Sequence, residues 1–491
     1  MDIKWNPVLK EELTAAALQN AMNAGQLTAK ELVMYYMYRI AKYDQAGPAI
    51  NSILEVNPAA FFIAEALDHE RNTKGPRGPL HGIPVLLKDN IETNDAMHTS
   101  AGTLALENYL PEKDAYLVNL LRQSGAIILG KTNMTELANG MSSEMWAGYS
   151  SRGGQVVNPY GDFFVGGSSS GAAAAVASNL AVLAVGTETD ASILSPAIQN
   201  SVVGIKPTVG LISRTGMIPF TYSQDTAGPI ARTVEDAALL LSALAGPDPS
   251  DPATLKSDGK KDYSVFLDSE GLKGARIGVF KDADEDYFQS GEYDEGLFKD
   301  AVLGFKDLGA EVIEDIVIPS FHRKWSWNVL FYELKHSLDN YLAKLPPQLP
   351  VHSLSELIKF NENHKEQTLK YGQDKLESRA KLPYSLRAPE YIQAKIEDIY
   401  FSQQEGIDYA LKKDKLDAIL FPSYIGSTIC AKAGYPSIAL PAGYMENGRP
   451  FGITLAASAF SEGLLIKLGY SYEQHTKQRR SPSLAKTKRE K

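Results

Sequence analysis

Two segments of small residues restrict the fold more than anything else in the sequence: GGSSSGAAAAVA at 166–177 and, one short apolar run later, GTETDASILSPA at 186–197. Glycine and serine let backbone amides approach a neighbour closely, and the alanine run after Gly171 predicts a helix packed at short range. A flexible linker shares these letters. Linkers, however, do not sit between apolar strands and an Ala/Val helix, so both segments belong inside a fold.

Helical periodicity opens the chain. A first helix carries Leu13, Ala16, Ala17 and Leu18 and stops at Gly25, and Thr28 with Glu31 forms a capping-box pattern before LVMYYMYRIAKY. A third helix is predicted over 59–71, and IPVLL at 83–87 reads as a short buried strand running into Lys88. Further apolar runs at 126–129, 180–185, 276–280, 311–318 and 418–421 read as strands, with helical segments between several of them. Strands alternating with helices predict an α/β fold. Residues 246–263, rich in Pro, Asp and Lys, read as a surface connection after a helix capped by Thr233. Beyond them, to about residue 415, a more charged and more helical portion reads as a peripheral layer. No repeat of about 20 to 50 residues is present, which excludes a solenoid or propeller.

Composition narrows the function. The chain of 491 residues has 49 basic and 59 acidic side chains, a formal charge of −10, which argues against a nucleic-acid partner. The single cysteine, Cys430, excludes a disulfide framework and any cysteine-based zinc site, and points to a reducing compartment. The start, MDIKWNPVLKEEL, lacks the cationic-then-apolar pattern of a secretory signal. The most apolar long segment, 172–185, is interrupted by Ser178 and Asn179 and falls short of the ~20 apolar residues of a membrane span. A cytoplasmic location with no membrane partner is expected. The basic end, with Lys477, Arg479, Arg480, Lys486, Lys488, Arg489 and Lys491, is expected to be solvated and mobile.

A serine nucleophile needs a proton acceptor, usually histidine. None of the eight histidines, His81 and His98 near Lys88 included, lies in a Gly-rich or strand-end context like that of the serines. Lysine can take the role when burial lowers its pKa, and the apolar lead-in 83–87 could carry Lys88 into such a place. Two motif matches compete. Gly125-AIIL-Gly130-Lys131-Thr132 fits a phosphate-binding loop, but AIIL is strand-like and would put its amides into a sheet ladder. Gly167-SSS-Gly171 fits the nucleophile elbow of α/β-hydrolases, with no histidine to pair with it.

These motifs, in order, resemble the amidase signature family: GIPVLLKDNI, GAIILGKTNMTELA, the Gly/Ser block, VVGIKPTVGLISRTGMIP, DTAGPIART, AGYPSIALPAGY and YSYEQHT. The resemblance is closest in motif to peptide amidase-like members and weakest over about 250–415. It implies a three-layer α/β/α sandwich around a large mixed sheet. It implies a single domain over 1–480, with a triad-bearing core at about 80–245, a divergent layer at about 250–415, and a basic, disordered tail at 481–491. It also implies a Ser-Ser-Lys triad: Lys88 as catalytic lysine, Ser168 as the bridging serine after a cis peptide, and Ser192 as nucleophile. The backbone N–H groups of Thr189, Asp190, Ala191 and Ser192 would form the oxyanion hole. The implied activity is hydrolysis of a carboxamide or C-terminal peptide amide through an acyl-enzyme, with no metal or organic cofactor, by a monomer or homodimer. A related role is the A subunit of an aminoacyl-tRNA amidotransferase. The family usually has two glycines before the nucleophile where this chain has Asp190 and Ala191. If position 191 needs positive φ, alanine costs about 1 kcal/mol, and a catalytically weakened binding or scaffold member is the third reading.

Overall fold

A computed structural model describes residues 4–10, 12–257, 259, 261–281 and 293–484. Helix α1 (Ala15–Asn23) and α2 (Ala29–Arg39) form where the periodicity places them. The capping box closes: Glu31 N–H donates to Thr28 Oγ1 at 3.1 Å and Thr28 N–H to the Glu31 carboxylate at 2.8 Å. Strand β1 (Ile53–Val56) and α3 (Ala60–Lys74) follow, and α3 ends at Gly75. Then come β2 (Pro84–Lys88), α4 (Tyr116–Gln123) and β3 (Ile127–Thr132). A small ribbon of β4 (Tyr149–Ser150) and β5 (Gly154–Gln155) precedes α5 (Ser170–Ala177) and β6 (Leu183–Glu188). Helix α6 (Leu194–Gln199) leads to β7 (Val203–Lys206), β8 (Thr226–Ala231) and α7 (Val234–Leu244). Later strands are β9 (Arg276–Val279), β10 (Glu311–Ile313), β11 (Ala418–Pro422), β12 (Ser437–Tyr444) and β13 (Pro450–Ala456).

Eleven of these strands form one mixed sheet in the order β1-β3-β2-β6-β8-β7-β12-β13-β11-β9-β10, flanked by helices. Strand β2 is parallel to both β3 and β6, whereas β6, β8, β7, β12, β13 and β11 run antiparallel to their successive neighbours. Parallel neighbours on both sides bury β2 entirely, which explains its unbroken apolar run. Every residue of α5 is buried. Its small side chains are a packing requirement: a methyl at Gly171 would stand 2.3 Å from the Asn133 carbonyl oxygen and 2.5 Å from that of Ser52.

Two strand bounds and the basic end need correction. The strand read at 180–185 starts at Leu183, because Asn179 takes φ +53 at the end of α5 and a turn intervenes. The strand read at 311–318 ends at Ile313, before Asp315 with φ +58. The connection 246–263 is pinned down, with Asp248 accepting from the Ser213 and Thr215 hydroxyls and Asp251 paired with Arg214. The phosphate-loop match is strand β3, where buried Lys131 donates to Ile91 O and Thr99 Oγ1, both at 2.6 Å. The basic end is docked where it begins: Arg479 pairs with Glu12, and Leu484 packs against the cluster of Ile50, Val156, Val165 and Ala174. The rest of the expected tail, 485–491, lies outside the described residues. Among the described residues no helix is long and apolar enough to cross a membrane.

Candidate active site

Three chain segments meet at the carboxyl ends of β2 and β6. Strand β2 delivers Lys88, the turn before α5 delivers Ser168, and the link from β6 to α6 delivers residues 189–192. Lys88 is 0% exposed. Its Nζ lies 2.7 Å from Ser168 Oγ, 3.0 Å from Ser169 Oγ and 3.0 Å from the Thr187 carbonyl oxygen. Burial pulls its pKa down to about 7, against the smaller opposing pull of the Glu188 and Asp225 carboxylates. Lys131 and Lys206 are also buried and lowered by desolvation, but their ammonium groups face carbonyls and a threonine rather than serines. Burial alone therefore does not single out Lys88; its two serine neighbours do.

The Gly167–Ser168 peptide is cis. Ser192 is 7% exposed, and its Oγ donates to the Asp190 carbonyl at 3.4 Å rather than to Ser168. The two serine loops are instead tied by Ser169 N–H donating to the Ser192 carbonyl at 3.1 Å. Ala191 has φ +59, the left-handed conformation that glycine adopts at least cost. The chain thus keeps a glycine-like turn with an alanine in it. Among the described residues, no protein group accepts from the backbone N–H of Asp190, Ala191 or Ser192.

Sequence reasoning missed several supporting residues. Buried Glu188 accepts from Ile193 N–H at 2.6 Å and Leu194 N–H at 3.1 Å, so it caps α6 directly behind Ser192, and burial pushes its pKa up to about 6. Asp89 takes the Ser100 hydroxyl and the Gly102 N–H and faces Arg152, which fixes the chain just after Lys88. Gln224 and Asp225 both reach Thr189. Glu188, Asp89 and Asp225 lie in motifs already noticed, GTETD, LLKDN and DTAGP, whereas Gln224 lies just outside them. Neither His81 nor His98 joins the site: His81 bonds the Leu67 carbonyl and His98 pairs with Glu55. Beside Thr187, Glu188 and Thr189 opens a narrow pocket, lined mainly by Met134, Leu137, Met217, Ile218, Phe220, Leu334 and Leu338.

Comparison with known proteins decides the family. The profile of the family described as Amidase matches residues 31–466. The chain belongs to the amidase family. This amidase superposes on the peptide amidase of Stenotrophomonas maltophilia with a TM-score of 0.90 and 42% identity, covering 97% of this chain and 100% of that one. It is 39% identical to a probable amidase of Arabidopsis thaliana, over 96% of this chain and 91% of the relative. It is 33% identical to the A subunit of glutamyl-tRNA(Gln) amidotransferase from Pseudomonas syringae pv. syringae, over 95% of this chain and 98% of that relative. As a member of this family the amidase hydrolyses amide bonds.

Proposed function

We propose that the amidase cleaves a primary carboxamide, such as a C-terminal peptide amide, to a carboxylate and ammonia through a Ser192 acyl-enzyme. The observation that carries this reading is the sealed amine of Lys88, 2.7 Å from Ser168 Oγ. A lysine with its pKa drawn to about 7 is substantially neutral near neutral pH, so it can accept the Ser168 proton while Ser168 takes that of Ser192. Rotation of the Ser192 side chain away from the Asp190 carbonyl, a contact at the long end of hydrogen bonding, closes this relay. Ser192 Oγ then attacks the amide carbon. The developing oxyanion takes the backbone N–H groups of the 189–192 loop, where each donor is worth on the order of 3 kcal/mol. The proton returns through Ser168 to the departing nitrogen, and water, activated by the same pair, releases the acid. The side chains of the neighbouring pocket favour an apolar group beside the scissile amide.

Both relatives match over nearly their full length, and the higher identity to the peptide amidase, 42% against 33% for the amidotransferase A subunit, favours a stand-alone hydrolase. The test is ammonia release from a panel of peptide amides by the purified chain, beside Ser192→Ala. Turnover without a partner is expected, with kcat reduced on the order of 10⁶-fold in the variant. Activity that appears only with a second protein would support the amidotransferase reading. Binding without turnover, equal in both proteins, would support the silent scaffold.

A further inference from the structure

Each carbonyl along the 189–192 segment is engaged by a donor. Ser195 N–H holds the Ala191 carbonyl at 2.8 Å, Ser169 N–H holds that of Ser192 at 3.1 Å, and the Ser192 hydroxyl makes the long contact to that of Asp190. The Thr189 carbonyl is held by a side chain from outside the segment, Gln224, whose Nε2 donates to it at 3.0 Å. A trans peptide is planar, with its C=O and the following N–H pointing in opposite directions. Whatever holds Thr189 O therefore also aims Asp190 N–H.

We infer that Gln224 is a positioning residue for the oxyanion loop, fixing the plane of the Thr189–Asp190 peptide so that Asp190 N–H faces the reacting carbonyl. This rests on the reading of residues 189–192 given above. Three observations support it. Gln224 is 2% exposed, and among the described residues its side chain makes this one hydrogen bond while its Oε1 finds no protein partner. A buried amide left half-satisfied is a poor choice for packing alone, where an apolar side chain would serve better. Its orientation is set, because the reverse would put two carbonyl oxygens face to face. Its neighbour Asp225 grips the same threonine, accepting from Thr189 Oγ1 at 2.6 Å while also taking Phe220 N–H and Thr221 N–H. The loop carrying both residues is anchored by buried Glu333, which accepts from Tyr222 N–H and Ser223 N–H, each at 2.9 Å.

Gln224→Met keeps the length and removes the donor; Gln224→Leu is run beside it so that the result does not depend on one variant folding. The probes are a peptide amide substrate, a peptide aldehyde and the matching alcohol. Ser192 Oγ adds to the aldehyde carbon, the carbonyl electron pair moving onto oxygen and the serine proton onto the Lys88–Ser168 pair, so the adduct places an anionic oxygen in the hole. The alcohol cannot add. For the variants, kcat is expected to fall about tenfold or more, and aldehyde affinity by the same factor. KM and alcohol affinity stay within about twofold of the parent, and the melting temperature does not drop. Parental kcat and aldehyde affinity in a folded variant overturn the inference. So does a loss shared equally by the alcohol, KM and melting temperature, which marks a merely structural residue. If the parent itself neither turns over amides nor binds the aldehyde better than the alcohol, the proposed function fails first.

Discussion

At the scale of single residues, the site depends on a few backbone and side-chain orientations that burial makes costly to change. Ala191 shows this most directly. Its φ of +59 costs an L-residue about 1 kcal/mol that glycine does not pay, so Ala191→Gly is expected to stabilise the protein by up to about 1 kcal/mol in urea unfolding, with no loss of kcat/KM. A destabilised variant would mean that the alanine methyl makes contacts worth more than the backbone strain. The two serine-bearing segments stood out by their small residues, and Lys88 by its apolar lead-in and the family motif around it. Glu188 and Gln224 did not, because what they do depends on partners: Glu188 caps a helix five residues ahead, and Gln224 reaches a carbonyl thirty-five positions back. No local pattern in a single sequence encodes either contact.

At the scale of elements, helix α5 explains why its segment reads as small residues throughout. Its Gly171 N–H donates to the Asn133 carbonyl at 3.0 Å, and no space remains there for a side chain. Gly171→Ala is expected to force α5 away from the β1–β3 side, costing about 3 kcal/mol or more and reducing kcat through displacement of Ser168. A melting temperature and kcat unchanged from the parent would show that the loops around Asn133 and Ser52 yield. Strands with plain apolar runs, such as β2, β3 and β11, were legible. Strands β8, β12 and β13 were not read as strands, because TAGPIA, SIALPAGY and PFGITLA carry the glycines and prolines that ordinarily interrupt a sheet. The structure tolerates Pro229 partly because β7 pairs with β8 only at Ile230 and Ala231, beyond it.

At the scale of the whole molecule, the sheet and the helices around it create the environment that makes Lys88 unusual. The portion read as peripheral takes part in this: the helix Asn328–Leu342 supplies Leu334 and Leu338 to the pocket wall and Glu333 to the loop behind residues 189–192. That layer's charged, helical pattern was legible, but which of its residues face the site was not, because those contacts join positions far apart in sequence. The central claim is that this enclosure leaves one amine neutral near neutral pH. A base works only when unprotonated, so activity must be lost as pH falls through the folded pKa and must level off above it. The most direct measurement is kcat/KM for a peptide amide from about pH 5 to about pH 10, with Lys88→Met as control. An ascending limb with its midpoint near 7, and no measurable turnover at any pH in a folded Lys88→Met variant, is the predicted result. A limb at the ordinary lysine value of about 10.4, a profile flat across the range, or substantial turnover without Lys88 would contradict the account.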